Sequence, residues 1–226
     1  MILKVKAGAP FYENGFVVGC ERTREAVVID PGDEADALLH VVREHRLAAT
    51  HILLTHAHID HISGVARVKD ALNVPIYLHR DDSPLYDHAV EQGRMFGFAV
   101  TQPPPVDVFY NSSVLCFGDY NVRVHHTPGH CPGGVCLQIG EKGEAGTHLF
   151  VGDTLFAGSV GRTDLPGGNH DVLMRSITGA LFALGDTATV HPGHGPDTTI
   201  GHERQTNPFV LEYLAGRGKT VANLTK

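Results

Sequence analysis

Four side chains that can bind a metal ion stand within six positions, in the segment Thr55-His56-Ala57-His58-Ile59-Asp60-His61. The apolar run at 49–54 predicts a short strand before them, and the residues after Ser63 have helical spacing. The segment is therefore predicted to be a loop at the end of a strand, where a rigid scaffold can aim side chains at one point. Side chains two positions apart on an extended backbone project to the same side. His56 and His58 can then hold one cation, and Asp60 and His61 can serve a second.

Chance clustering is the competing interpretation, because surface histidines occur in groups and a lone His-x-His pair carries little information. Composition favours the interpretation that these histidines bind metal or transfer protons. The chain contains 16 histidines among 226 residues, and histidine is both the commonest metal ligand and a general acid or base.

Charge and length exclude several classes of protein. The net charge is −7 with only 18 lysines and arginines, which argues against a nucleic-acid partner held through its phosphates. The length allows one large domain or two small ones. No repeat or linker divides the chain, so a single domain over residues 1–226 is predicted, with a polar, loose tail at 216–226.

The compartment is predicted from the cysteines and from the beginning of the chain. None of the cysteines forms a Cys-x-x-Cys pair, which is typical of free thiols in a reducing cytosol. The first six residues alternate like a strand and lack a signal-peptide core, and no apolar run approaches the length of a membrane span. We therefore expect a cytoplasmic protein with no membrane partner. The cysteines are Cys20, Cys116, Cys131 and Cys136.

Both sheet and helix periods occur along the chain. The predicted strands are 2–5, 15–20, 26–30, 49–54, 75–79, 114–117, 122–125, 135–139, 148–151 and 188–191. The predicted helices are one from Asp33, as N-cap, to Leu47, then 63–73, 171–184 and 202–215.

Residues 80–112 interrupt this succession of strands and helices with scattered aromatic residues and three consecutive prolines. One helix and irregular chain are predicted there. The excursion is either a cover over a functional site or a surface insertion. Four aromatic side chains in the chain could rim a pocket, although aromatic residues are more often simply packed. They are Phe11, Tyr12, Tyr86 and Phe96.

Three further candidate ligands share one context, since His130, Asp153 and His194 each follow a predicted strand and stand beside glycine. With the His-rich loop they make a set of five histidines and two aspartates, which suits two cations. One cation would be held by His56, His58 and His130. The other would be held by Asp60, His61 and His194. Asp153 would bridge the two, and the open positions left for water are typical of a catalytic site.

The ordered set His-x-His-x-Asp-His, lone His, Gly-Asp and late Gly-His resembles the pattern of the metallo-β-lactamase superfamily over nearly the whole chain. The resemblance implies an α/β (α+β) fold, the αβ/βα four-layer sandwich with two mixed β-sheets and outer helices. It also implies the ligand roles given above. Asp153 stands where several true β-lactamases have cysteine or serine, so antibiotic hydrolysis is not expected to be the main task.

The segments 159–166, 191–196 and 206–209 are similar to a bacterial branch of short glyoxalase II-like enzymes, associated with hydroxyacylglutathione hydrolysis. The C-terminal helical domain that holds glutathione in longer members is not expected in this chain. Where those members have Gly-Lys-Phe-Tyr, this chain has Gly161-Arg162-Thr163-Asp164. Arg162 could contact a glutathione carboxylate, or it could form an ion pair with Asp164 within its own loop.

The resemblance implies a binuclear thioester hydrolase whose two divalent cations, zinc first and iron or manganese as alternatives, lower the pKa of a bridging water. The resulting hydroxide would attack the carbonyl, with Asp60 as the catalytic residue that orients it. The expected partner is a small-molecule thioester such as S-lactoylglutathione, and the expected assembly is a monomer or homodimer.

Two other functions remain open at this stage. Persulfide dioxygenases, single-iron oxidoreductases of the same superfamily, also carry Gly-Arg-Thr-Asp, although they usually alter the late Pro-Gly-His-Gly that surrounds His194 here. A non-catalytic binding or scaffold member would be expected to lose ligands, and every ligand position of the pattern is filled.

Overall fold

Two six-stranded β-sheets form the centre of the computed structural model, which describes residues 1–111, 114–144 and 147–224, with side chains to residue 216. The strands of the first sheet, in spatial order, are β1 (Ile2–Lys6), β2 (Asn14–Gly19), β3 (Glu25–Ile29), β4 (Ala48–Leu53), β5 (Ile76–Leu78) and β6 (Val108–Phe109). The strands of the second, in spatial order, are β14 (Thr198–Thr199), β13 (Thr189–Pro192), β10 (His148–Gly152), β9 (Val135–Glu141), β8 (Tyr120–His126) and β7 (Leu115–Phe117). A separate hairpin pairs β11 (Leu155–Phe156) with β12 (Ser159–Val160).

Both sheets are mixed, as expected. In the first sheet β1, β2 and β3 are antiparallel, whereas β3 to β6 run parallel. In the second sheet β10 and β13 are parallel and the other pairs are antiparallel. The described α-helices are α1 (Ala35–Glu44), α2 (Ile59–Ile62), α3 (Val65–Leu72), α4 (Ser83–Asp87), α5 (Ala89–Met95), α6 (His170–Arg175), α7 (Ile200–Thr206) and α8 (Pro208–Leu224).

Alternation along the strands divides the apolar residues into three layers of packing. Phe16 and Val18 of β2 pack between the two sheets, together with Phe150 of β10. Val17 faces the opposite way, toward the helices that cover the first sheet. Leu149 likewise faces the helices on the second sheet. These layers confirm the predicted αβ/βα sandwich.

Two predicted helix boundaries are wrong. Asp33 does not cap α1, because the helix begins one residue later and the Glu34 carbonyl accepts its first bonds, from Ala37 and Leu38. The predicted helix at 202–215 is two helices, because Pro208 has no N–H to continue α7 and instead starts α8.

The expected loose tail at 216–226 is helical in its backbone up to Leu224, and residues 225–226 lie outside the described part of the chain. The excursion at 80–112 contains more structure than the single predicted helix: a 3₁₀ turn at Arg80–Asp82, then α4, α5 and β6. The helix predicted at 171–184 is α6, continued by a π-helical and a 3₁₀ stretch to Leu184. Within the described residues, helices that are both long and apolar enough to cross a membrane are absent.

The sheet topology brings the predicted ligands to one edge of the sandwich. The His-rich loop follows β4, Asp153 follows β10, and His194 follows β13. Each of these strands has a parallel neighbour, and the carboxyl ends of parallel strands are where α/β sheets bind ligands. A β-bridge between Glu13 and His194 joins the two halves at this edge.

Candidate metal centre

Three buried imidazoles form the first group of the site. His56 and His58 come from the loop after β4, and His130 comes from the loop between β8 and β9. The His58 Nδ1 and His130 Nε2 atoms are 2.7 Å apart. One nitrogen of each ring lies within 4.8 Å of one nitrogen of the other two, so all three can point at one ion.

Asp60, His61, Asp153 and His194 form the second group, and again one ligand atom of each lies within 4.8 Å of the others. His194 Nε2 is 3.1 Å from Asp60 Oδ2 and 3.6 Å from Asp153 Oδ2, and His61 Nε2 is 3.4 Å from Asp153 Oδ1. Asp153 Oδ2 is also 3.7 Å from His130 Nε2. Asp153 therefore lies between the two groups, where a bridging carboxylate would have to be.

The donor atoms at the centre fit metal ions. His56 Nε2, His61 Nε2 and Asp153 Oδ1 are buried and have no hydrogen-bond partner among the residues that the structure describes. A buried polar atom without a partner is costly, and such atoms call for an explanation such as an ion. The other nitrogens of the two rings are engaged, His56 Nδ1 with Thr55 Oγ1 and His61 Nδ1 with Asp30 Oδ2. Each ring is therefore oriented with its free nitrogen toward the centre.

The two groups differ in electrostatics. Burial lowers the pKa of His56 well below its ordinary value and lowers the pKa of His58 to about 4. Burial also acts to lower the pKa of His61. The charges of Asp60 and Asp153 outweigh that effect and raise the pKa of His61 well above its ordinary value. At neutral pH the His56 and His58 rings are therefore uncharged. In the metal-free protein the His61 ring is protonated on both nitrogens and carries a positive charge.

Metal binding should therefore release protons unequally. A ligand must lose its proton before it can bind, so a cation in the second group has to displace the proton of His61. We expect the ion that binds to the second group to release more protons near neutral pH than the ion that binds to the first group, and its affinity to rise as the pH approaches the raised pKa of His61. Titration calorimetry in buffers of different ionisation enthalpy measures both quantities. Equal proton release by the two equivalents would contradict the assignment.

Asp30 orients the second group and was not identified from the sequence. Its buried carboxylate accepts hydrogen bonds from the Thr55 backbone N–H at 2.7 Å and from Thr55 Oγ1 at 2.6 Å. Its Oδ2 atom is also 3.0 Å from His61 Nδ1. Asp30 adopts a left-handed conformation at φ 46°, which aspartate tolerates better than most residues. Its position after β3 and before Pro31-Gly32 was the available signal.

Asp82 fastens the two loops of the first group to each other. Its buried carboxylate accepts from the backbone N–H of Ala57 at 2.9 Å and of Gly133 at 2.5 Å, and from Cys131 Sγ at 3.2 Å. Burial raises the pKa of Asp82, and the bond from Gly133 opposes that rise. Sequence reasoning missed this residue, because it lies within the excursion at 80–112.

Arg162 contributes to the site through its backbone, since its carbonyl oxygen is 2.8 Å from His130 Nδ1. Its guanidinium forms two 2.8 Å bonds with the Asp164 carboxylate, the ion pair that was one of the two sequence-based alternatives. Gly193 allows the groups to approach, because a Cβ there would lie 2.5 Å from Asp153 Oδ1 and from His61 Cε1.

A cavity of about 490 Å³ opens beside His58, Asp60 and His130. Two of the four aromatic candidates, Phe11 and Phe96, line it. The expectation for Tyr86 is wrong: its side chain is buried at 1% exposure, and its hydroxyl donates to the Pro104 carbonyl. Tyr12 is half exposed and is not among the described residues lining the cavity. Leu85, Gln92, Met95, Phe96 and Phe98 also line it, so the excursion at 80–112 forms one wall.

Sequence comparisons relate this architecture to known proteins. The family model of the metallo-β-lactamase superfamily matches residues 8–194. A protein of Aquifex aeolicus is 41% identical over 217 residues, covering 96% of this chain and all of that protein. The hydroxyacylglutathione hydrolase GloC of Haemophilus influenzae is 36% identical over 190 residues, covering 83% of this chain and 88% of that enzyme.

Solved structures give the same relation. The BLEG-1 B3 metallo-β-lactamase superposes with a TM-score of 0.82 at 38% identity, covering 93% of this chain and 99% of that one. TTHA1623 in a di-iron-bound form gives 0.80 at 43% identity, covering 92% and 99%. ETHE1 from Myxococcus xanthus gives 0.74 at 27% identity, covering 92% and 83%.

Proposed function

The chain belongs to the metallo-β-lactamase superfamily, and on that premise we propose that it is a binuclear metal-dependent hydrolase of thioesters, with S-lactoylglutathione as the first substrate to test. The observation that supports a hydrolase most directly is the pair of ligand groups joined by Asp153 at the mouth of a cavity. The hydroxyacylglutathione hydrolase of H. influenzae supports the thioester.

Each group of side chains has a distinct task under this proposal. His56, His58 and His130 would hold one ion, while Asp60, His61, Asp153 and His194 would hold the other. The pair of ions, when bound, would provide hydroxide at neutral pH and polarise a carbonyl oxygen. We propose zinc as the metal, with iron or manganese as alternatives, and the di-iron-bound form of TTHA1623 makes iron the first alternative to test.

Asp60 is the residue that we propose to orient the attacking water. It lines the cavity, and its Oδ2 atom is 3.1 Å from His194 Nε2. With one oxygen directed toward the second group, the carboxylate could use its other oxygen to accept a hydrogen bond from water at the cavity wall. Asp60 remains charged near neutral pH, because His61 and His194 lower the pKa of Asp60 against the effect of burial.

A thioester suits this site better than an amide. A thiolate leaves without a proton, since the pKa of an ordinary thiol is about 8.5, whereas an amide nitrogen must receive one. We therefore assign no general acid. Two other expectations remain predictions, namely a cytoplasmic location and a monomeric or homodimeric state.

The metal-loaded protein is expected to hydrolyse S-D-lactoylglutathione, and His58→Ala is expected to lower kcat/KM by about 10²-fold or more. The reason is that a catalytic ion contributes several kcal/mol to the transition state. Release of free thiol measures the reaction. His40→Ala is the matched control, since the His40 side chain is 70% exposed on α1, and it should leave turnover unchanged.

Full turnover by the His58→Ala variant would contradict the assignment of the first group. No thioester hydrolysis, combined with oxygen uptake on glutathione persulfide, would replace the proposal with the dioxygenase alternative.

A further inference from the structure

The cavity beside the first ligand group has mostly apolar walls. Phe11 and Phe98 pack against each other on one side, with ring centroids 4.9 Å apart. Leu85 and Phe96 of the 80–112 excursion and Leu165 are among the other lining residues. A volume of about 490 Å³ is in the range of small-molecule sites.

Apart from the proposed metal ligands, the polar side chains of this cavity are already engaged within the protein. The Gln92 amide nitrogen donates to the carbonyl oxygens of Ala57 at 3.0 Å and Leu85 at 2.7 Å. Among the described residues that line the cavity, Arg162 is the one lysine or arginine, and it is paired with Asp164. A carboxylate bound against the apolar walls, away from the metal ligands, would lose its hydration and meet no cation except Arg162, which is already paired with Asp164; such a loss is costly.

A second cavity, of about 430 Å³, lies against the other ligand group. Phe156, Ser159 and His194 line it. Asp153 and Arg162 line both cavities, so the centre lies between two spaces. A thioester bound at the centre can therefore place one substituent in each space.

We propose that the cavity lined by Phe11, Phe96 and Phe98 binds the acyl group of the substrate, and that the enzyme prefers thioesters with a hydrocarbon acyl chain over the small, hydroxylated lactoyl group. This inference rests on the proposed function. The thiol part of a glutathione thioester carries two carboxylates and an ammonium group, which the apolar cavity cannot pair. The acyl group is the substituent that fits it. Water adds to the carbonyl carbon, the C–S bond breaks, and a carboxylic acid and a thiol are released.

The proposal predicts a rise in kcat/KM with acyl length. Each methylene group buried in an apolar site should increase it by about fourfold at most, until the cavity is filled. The test compares lactoyl-, butyryl-, hexanoyl- and octanoylglutathione with the metal-loaded full-length protein. A flat or falling series would overturn the proposal while leaving thioester hydrolysis intact.

Two variants test whether this cavity is the cause of the dependence on acyl length. Phe96→Ala removes a half-exposed wall residue and should reduce the ratio of octanoyl to lactoyl turnover about fourfold, the effect of losing one buried methylene contact. Leu214→Ala is the control, because Leu214 is 43% exposed on α8 and is not among the described lining residues. Equal ratios in the two variants would overturn the assignment of this cavity.

A binding measurement separates this proposal from the proposed function. The thioethers S-methyl-, S-hexyl- and S-octylglutathione place the same chains next to sulfur but cannot be hydrolysed. Calorimetry with the metal-loaded protein should show affinity rising with chain length, and Phe96→Ala should reduce that rise. If no thioester is hydrolysed, the proposed function fails. The thioether series still tests whether the cavity binds a hydrocarbon chain. Equal affinity for all three thioethers would overturn it.

Discussion

Replacing Asp153 with alanine should give a folded protein that binds one equivalent of metal instead of two. Asp153 has one oxygen 3.4 Å from His61 Nε2 and the other 3.7 Å from His130 Nε2, so its two oxygens face different groups. An ion that polarises the carbonyl contributes several kcal/mol, and each 1.36 kcal/mol is a factor of ten in rate. We expect kcat to fall by about 10³-fold.

Metal analysis after dialysis and thiol release on S-D-lactoylglutathione give the two readouts. Asp171→Ala is the control, because it removes the same charge from an exposed position on α6. A variant of Asp153 that kept two ions and full turnover would disprove the bridging role.

The second large effect is expected from Asp82→Ala. The substitution removes the acceptor of three buried donors, namely Ala57 N–H, Gly133 N–H and Cys131 S–H. A buried donor without a partner costs about 1–3 kcal/mol, and some of these groups will find water. We therefore expect the free energy of unfolding of the metal-free protein to fall by about 2–4 kcal/mol. The ion held by His56, His58 and His130 should also bind about tenfold more weakly, because the loops that carry these histidines lose their common acceptor.

Urea denaturation measures the first effect and a metal competition assay the second. Asp81→Ala is the matched control, because its side chain is 56% exposed and is the adjacent residue in the chain. An unchanged denaturation midpoint for Asp82→Ala would show that the carboxylate does not hold the two loops.

The candidate ligands could be recognised in the sequence because each belongs to a short local pattern, and the structure brings them together in two groups. His56, His58, Asp60 and His61 are close in sequence, and the others follow strands beside glycine. Asp30 and Asp82 could not be predicted in the same way. Each acts through contacts with residues 25 to 51 positions away, which local spacing does not reveal.

The fold was likewise predictable where local patterns determine it and not where distant contacts do. Alternation within β2 and β10 is local and was enough to predict the individual strands, whereas the sandwich with two mixed sheets was implied by the resemblance to the superfamily. The hairpin of β11 and β12 was missed, because two-residue strands give no measurable period. The break before Pro208 was visible in the sequence but was overridden by the helical spacing on either side. The prediction that Tyr86 rims the pocket was wrong because the excursion folds inward there. Burial of an aromatic ring depends on the tertiary packing of α4.

The central claim is that two metal ions act together in thioester hydrolysis. The measurement that tests it most directly is the initial rate of thiol release as metal is added back to the metal-free protein, in fractions of an equivalent. The account predicts that most activity appears between the first and second equivalents and that the rate is constant beyond two. Full activity at one equivalent, or without metal, would contradict it.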